Sequence, residues 1–257
     1  MSQDTLLLVG RAVGDAPEVF ETHRRRLADR TAFDTVEVAT YDAEPVRELR
    51  DQFADHPADR VHAVPMCLAH TRDTVDAVPR ALAHLPGEVH YCDPVGRNPA
   101  VTEVLAERAV NRVSPGADAS LVLPAFGSSS TPHQRRAAEY HAERLRERGD
   151  YGQVVTCYLL QNPTVECVRY EVTEPRSVAV PLFIASTPAT EQRIPDALEL
   201  SRGGIEYADP LGTHPRVTDA VHAEAAKGRV LADAGDPGAF DPDVETAHPV
   251  ATDGEGR

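Results

Sequence analysis

A histidine and two aspartates recur at intervals of three residues at the start of a predicted helix. They are His70, Asp73 and Asp76. An imidazole and nearby carboxylates can bind a first-row divalent metal ion or accept protons. Asp73 is equally well explained as an acid at the N-terminus of the helix, where the helix dipole favours a negative charge. We therefore take His70 and Asp73 as candidate catalytic and metal-binding residues, with helix capping as the alternative for Asp73.

An arginine follows the first apolar segment of the chain and could bind a negatively charged ligand. Arg11 comes directly after this predicted strand, and open α/β sheets bind ligands at the carboxyl ends of their strands. Its guanidinium group can make two parallel hydrogen bonds to a carboxylate, but it cannot act as a base. The alternative is a partly exposed arginine paired with Asp15 or Asp42.

A run of hydroxyl side chains, from Ser128 to Thr131, lies between a predicted strand and a predicted helix. Ser128 and Ser129 could bind an anion through their hydroxyl and backbone N–H groups. The alternative is that the run caps the helix, with Pro132 in its first turn. The helix itself carries His133 and His141 among arginines and glutamates, and we expect both histidines on a solvated face.

The chain contains the same segment twice. Residues 91–102 recur as residues 207–218, with seven of twelve positions identical at an offset of 116. The same offset relates Pro79 to Pro195 and Pro65 to Pro181. A repeat of this length indicates two domain-sized modules.

Strands and helices alternate within each repeat. In the first repeat we predict strands at 6–10, 35–40, 61–68 and 89–91, and helices at 17–29, 45–53, 73–85 and 99–113. Such alternation implies parallel pairing with right-handed crossovers. The predicted fold class is therefore α/β, with two tandem modules that each contain a four-stranded parallel sheet flanked by helices, and a cleft between them.

The predicted boundaries follow from this pattern. We assign residues 1–113 and 119–234 to the modules and 114–118 to the linker between them. Residues 235–257 are rich in glycine, proline and acidic residues, and we expect them to be a disordered tail.

The composition restricts the classes of function. The formal net charge is −15, which argues against general binding to nucleic acid. No stretch is apolar enough to predict a membrane span or a leader, so we expect a cytoplasmic protein without membrane association. Lys227 is the single lysine among 26 basic residues, and this acidic, lysine-poor composition is typical of proteins that live at high salt. The alternative is a genome of high GC content, which by itself favours arginine over lysine.

Three features in tandem resemble the class II tetrapyrrole chelatases, the sirohydrochlorin cobaltochelatase and ferrochelatase family. The features are a first strand that opens into a glycine-containing turn, a Val-Pro-Leu-Phe strand before a helix with Ile-Pro, and a Tyr-x-x-Pro-Leu-Gly-x-His-Pro segment. The second repeat matches best, at residues 125–128, 180–184 and 208–215. The resemblance covers about 230 residues of this sequence.

The resemblance implies insertion of Co²⁺ or Fe²⁺, as the substrate metal, into a tetrapyrrole held between two such modules. Two histidines and a carboxylate do this chemistry in the family. Here Arg11 and Phe126 occupy the first histidine position in the two repeats, while Asp73 and Ala189 occupy the second. The carboxylate position holds other residues, Tyr41 and Leu159.

Two functions therefore remain open. The first is a divergent sirohydrochlorin chelatase in cobalamin or siroheme synthesis, with His70 and Asp73 handling the metal or protons and Arg11 and Arg72 holding substrate carboxylates. The second is a non-catalytic module that binds a tetrapyrrole or a metal. For either function we expect no tightly bound cofactor, a sirohydrochlorin-like tetrapyrrole as ligand, and a paralogous chelatase subunit as a candidate partner.

Overall fold

The computed structural model describes residues 3–54, 56–57 and 59–234. The first module contains β1 (Asp4–Arg11), α1 (Ala16–Ala28), β2 (Thr35–Tyr41), α2 (Pro45–Phe53), β3 (Arg60–Pro65), α3 (Val78–Leu82), β4 (Glu88–Tyr91) and α4 (Pro99–Val110). Its four strands are all parallel, in the order β2-β1-β3-β4.

The second module repeats this architecture. It contains β5 (Gly116–Ala125), α5 (His133–Arg148), β6 (Tyr151–Tyr158), α6 (Val168–Glu171), β7 (Arg176–Ala179), α7 (Ile194–Ala197), β8 (Glu206–Tyr207) and α8 (Pro215–Asp233). Its parallel strands follow the equivalent order, β6-β5-β7-β8. The predicted fold class is therefore confirmed.

Several predicted boundaries differ from the structure. Strand β5 begins at Gly116, so three of the five residues that we assigned to the linker belong to a strand. The helix predicted at 73–85 is a π-helical turn, Asp73–Ala77, followed by the short helix α3. An equivalent turn, Ala189–Arg193, precedes α7. The predicted acidic tail, 235–257, lies outside the described residues.

The two modules share one hydrophobic core. A single buried cluster contains Leu6, Leu8 and Phe20 of the first module together with Leu121 and Leu123 of the second. Each module also has a separate core on its outer side, beneath α2 and α3 in the first and beneath α6 and α7 in the second. Burial of the inner faces against each other joins the modules into one body.

Two buried histidines connect the modules in a reciprocal way. His23 of α1 accepts a hydrogen bond at Nδ1 from the Thr218 hydroxyl (2.8 Å) and donates from Nε2 to the Gly212 carbonyl (3.1 Å), both in the second module. This pattern fixes the neutral imidazole with its proton on Nε2.

His141 of α5 makes the equivalent contacts to the first module. Its Nδ1 lies 2.8 Å from the Thr102 hydroxyl, and its Nε2 donates to the Gly96 carbonyl. The prediction that His141 lies on a solvated face was wrong. The arginines and glutamates of α5 cover only part of its circumference, and the other side packs against α4.

Among the residues that the structure describes, no helix is both long and apolar enough to cross a lipid bilayer.

Candidate functional site

The carboxyl edge of the first sheet gathers Arg11, Tyr41 and Asp73. Arg11 is exposed at the end of β1, and its Nε donates to the backbone carbonyl of Asp42 at 2.9 Å. Burial raises the pKa of the Tyr41 phenol, the negative charge of Asp73 raises it further, and Arg11 opposes this effect. Arg11 and Tyr41 are paired across β1 and β2, and Asp73 begins the turn that follows β3, the strand on the other side of β1.

The loop after β3 positions Asp73 and its neighbours. Asp73 is the first residue of the π-helical turn and is half-buried, whereas Arg72 occupies the N-cap position and is exposed. Asp76 forms an exposed ion pair with Arg80, at 3.4 Å. Asp73 thus lies in the first turn without acting as the N-cap residue. Asp76 is engaged elsewhere.

His70 lies on the same loop but points towards the second module. Its Nδ1 is 3.3 Å from the Thr74 hydroxyl oxygen, and its ring centroid is 6.2 Å from that of Tyr91. The ring of His133, in the first turn of α5, lies edge-on to it at a centroid distance of 5.9 Å. Each module therefore contributes one imidazole to this place.

A cleft of about 570 Å³ opens at this histidine pair, between the loops of the first module and helices α5 and α8. Basic side chains line it, namely Arg97, Arg136 and Lys227. Lys227 is held by Asp93 (2.6 Å) and Glu224 (3.5 Å), which also line the cleft. The lining therefore carries three positive and two negative side chains, in a protein whose net charge is −15.

The corresponding edge of the second module is apolar. Phe126 follows β5, and its ring packs against that of Phe183 at a centroid distance of 6.4 Å. The guanidinium of Arg193 lies 5.9 Å from the centre of the Phe126 ring. With Ala189 at the position equivalent to Asp73, this edge offers surface for an apolar or aromatic face but few groups for acid–base chemistry.

The hydroxyl run before α5 organises its own loop. The Ser128 oxygen accepts hydrogen bonds from the backbone N–H groups of Ser130 (3.3 Å) and Thr131 (3.2 Å), and Ser129 is exposed. These contacts stay within the run. Helix α5 begins after Pro132 and has no side-chain cap, so the alternative that the run caps the helix is wrong. Anion binding by Ser128 and Ser129 stays a prediction.

Sequence reasoning missed His133 as a site residue. Its helix is rich in charge, and only the packing of the modules brings it to His70. The start of α1 makes a comparable contact between the modules, because Asp15, directly before α1, accepts a hydrogen bond from the Ser186 N–H (2.7 Å), but this contact too is visible only in the structure. Within the described ranges, no three His, Cys, Asp or Glu side chains are grouped to hold a metal ion.

Both modules match one family model, CbiX, over residues 5–112 and 120–227. The chain belongs to the CbiX family. A curated relative, the probable sirohydrochlorin cobaltochelatase of Halobacterium salinarum, is 28% identical over 155 residues, 54% of this chain and 53% of the relative. The chain thus spans about half of the length of this curated relative.

Solved structures show the same fold as this CbiX-family chain. SirB from Bacillus subtilis with Fe³⁺ matches with a TM-score of 0.75 at 19% identity, covering 93% of this chain and 99% of SirB. The multi-domain protein DR2241 from Deinococcus radiodurans, described as structurally similar to chelatases, matches with a TM-score of 0.70 at 24% identity. That match covers 89% of this chain and 56% of DR2241. The resemblance to the class II chelatases is therefore confirmed.

Proposed function

We propose that this CbiX-family protein is a divergent chelatase that inserts Co²⁺, or alternatively Fe²⁺, into a sirohydrochlorin-like tetrapyrrole in cobalamin or siroheme synthesis. The observation that carries the proposal is the match of both modules to the family model, on a fold shared with SirB. The inter-module cleft supports it, because imidazoles and basic side chains line the same space.

The proposed chemistry has two requirements that side chains of this chain can meet. The carboxylates of the macrocycle need cations. Arg97 and Arg136, which line the cleft, can supply them by paired hydrogen bonds, as can Arg11 at the end of β1 and Arg72 in the loop after β3. Two pyrrole protons must leave as the metal enters, and a neutral imidazole such as His70 can accept one. Asp73 is the carboxylate nearest in sequence that could take the other.

A non-catalytic tetrapyrrole- or metal-binding module is the second candidate. Two observations favour it: the second module's strand edge is apolar around Phe126, and no group of three ligating side chains occurs among the described residues. A binding protein needs the cations and the apolar faces of the site but neither a strong ligand set nor a base.

Metal insertion into sirohydrochlorin separates the two candidates. We would follow the visible spectrum of the macrocycle at high salt, with Co²⁺ and anaerobically with Fe²⁺, against the uncatalysed rate. The proteins are the wild type, His70→Ala, Asp73→Ala and Arg11→Ala, with the exposed His84→Ala as the matched control. Acceleration that falls at least about tenfold in His70→Ala or Asp73→Ala, but not in His84→Ala, supports the enzyme.

A rate equal to background, with a spectrum that still changes when the macrocycle binds, supports the binding module instead. If the protein neither accelerates insertion nor binds the macrocycle, the chelatase and the tetrapyrrole-binding module are both rejected. A cytoplasmic location, the absence of a tightly bound cofactor and a paralogous chelatase subunit as partner belong to the proposal and rest on the family resemblance.

A further inference from the structure

The positions that carry the family's two histidines hold other residues in both modules, yet two imidazoles still meet in this structure. They are His70, in the loop after β3, and His133, at the start of α5. We infer that these two histidines, one from each module, form a binding site for the divalent substrate metal. The inference rests on the proposed function for the identity of the metal as a substrate.

The distance between the rings fits a shared ion. With a metal–nitrogen distance of about 2.0–2.1 Å, two imidazoles bound to one ion have centroids about 5–6 Å apart. The observed centroid distance is 5.9 Å, and the interplanar angle is 76°. The separation of the two rings therefore falls within the range that two imidazoles on one ion require.

The surroundings of His70 orient its ring for this role. The Thr74 hydroxyl donates to the Thr71 carbonyl at 3.2 Å, so its oxygen is an acceptor towards the His70 Nδ1 at 3.3 Å. A proton on Nδ1 leaves the lone pair on Nε2, and a hydrogen bond of this kind is what orients metal-binding imidazoles. Thr74 is itself buried, and this fixes the position of its hydroxyl.

The position of His133 relative to this loop is also fixed. The neighbouring Gln134 donates from Nε2 to the Ala69 carbonyl at 3.4 Å, and this ties the start of α5 to the residue before His70. The pair thus lies across the module boundary but on segments that are hydrogen-bonded to each other.

Two protein ligands suit a metal that must be passed on. Structural sites hold their ion with four side chains, whereas an ion with two imidazoles and otherwise water keeps positions open for the nitrogens of a macrocycle. The cleft beside the pair gives the macrocycle access.

Titration of untagged full-length protein with Co²⁺ tests the inference without any tetrapyrrole. We would measure the dissociation constant by calorimetry and the visible absorption of the bound ion for the wild type, His70→Asn, His133→Asn and the double variant. The exposed histidines supply matched controls, His84→Asn and His222→Asn. We expect each single variant at the pair to weaken binding at least about tenfold, the double variant to add little more, and the controls to change nothing.

A second variant identifies the ligand directly. His133→Cys should give a thiolate-to-cobalt charge-transfer band that is missing in the wild type and in His133→Ser. Thermal unfolding of each variant confirms that it is folded. The inference is overturned if folded His133→Asn binds Co²⁺ within about twofold of the wild type and His133→Cys shows no such band.

Failure of the two-histidine site can be distinguished from failure of the proposed chelatase function. If Co²⁺ binding depends on both histidines but the wild type does not accelerate insertion into sirohydrochlorin, the metal site stands and the chelatase proposal fails. If insertion is accelerated and His133→Asn changes neither binding nor rate, the chelatase proposal stands and the two-histidine site is rejected.

Discussion

The Tyr91 hydroxyl donates a hydrogen bond to the Thr74 carbonyl oxygen at 2.9 Å. In a π-helical turn this carbonyl would accept from the backbone N–H five residues later, which is position 79, and Pro79 has no N–H. The second module repeats the arrangement, because Tyr207 donates to the Thr190 carbonyl at 2.9 Å and Pro195 follows five residues after Thr190. The tyrosine therefore supplies the donor that the proline lacks, directly beside the candidate site.

Removing either hydroxyl should leave a carbonyl group without its donor. We expect Tyr91→Phe and Tyr207→Phe each to lower the free energy of unfolding by about 1–3 kcal/mol, since the carbonyl loses its partner in a largely buried place. Urea unfolding measures this, with Tyr170→Phe as control because Tyr170 is 90% exposed. Equal stability of Tyr91→Phe and the control would show that water replaces the phenol.

Gly14 should be indispensable at the contact between the modules. Its φ is +63°, and a Cβ atom there would lie 1.9 Å from the Ser186 carbonyl oxygen of the second module. Gly149 has a similar φ of +69°, but a Cβ atom added there would meet no other atom within 4 Å.

Comparing Gly14 with Gly149 distinguishes the cost of the left-handed backbone from the cost of the steric clash. We expect Gly149→Ala to cost about 1–2 kcal/mol, the cost of a left-handed conformation for a residue with a Cβ. Gly14→Ala should cost clearly more, since the Cβ also pushes the Ser186 loop away. Thermal unfolding of the two variants makes the comparison, and equal costs would contradict the collision.

We expect His62 to make the folded protein less stable than an apolar residue at the same position would. It is fully buried on β3, stacked on His90 at 4.9 Å, and neither of its ring nitrogens has a hydrogen-bond partner among the described residues. We expect His62→Leu, which is similar in size, to raise the free energy of unfolding by about 1 kcal/mol or more. A lower melting temperature for His62→Leu would mean that the stacking contributes more than desolvation costs.

Acid should weaken the contact between the modules. Burial lowers the pKa of His23 to about 4 and, likewise, that of His141 to about 4. Both groups are neutral in the folded protein at pH values where the unfolded chain already binds protons. Their contribution is fully present above the unfolded pKa of about 6.5 and is lost as the pH falls towards 4, by about 3 kcal/mol for each histidine.

Urea unfolding between pH 7 and pH 5 tests this, because carboxylates titrate mostly below that range. The slope of the free energy of unfolding against pH should become shallower by up to about 1.4 kcal/mol per pH unit in His23→Gln or His141→Gln. It should not change in His222→Gln. An unchanged slope in all three variants would show that the buried histidines do not control the acid response.

The fold could be predicted from the sequence because its signals are local or repeated. Buried strands such as β1 appear as short apolar runs, and the repeat of 91–102 at 207–218 implies two equal modules. Boundaries were less predictable where packing overrides composition. Gly116, in a Ser-Pro-Gly segment that is typical of a linker, lies in β5 because it pairs with Tyr151.

The site was only partly predictable. Arg11 and Asp73 could be placed at one sheet edge, since both follow the carboxyl ends of parallel strands. The meeting of His70 and His133 depends on how one module packs on the other, and this is not encoded in any local pattern around either residue. The same applies to His141, whose helix looks fully solvated until α4 covers one side.

The reciprocal bonds of His23 and His141 give the module interface the character of a symmetric dimer. Each module offers a histidine from its first helix and receives one at the threonine of its last, so the same patch serves both sides, as in an isologous contact. Because the two copies are connected in one polypeptide, their ratio is one to one, and each copy can have its own sequence. One copy has charged groups at its strand edge, Arg11 and Asp73, whereas the other has aromatic groups, Phe126 and Phe183. Two identical subunits could not differ in this way.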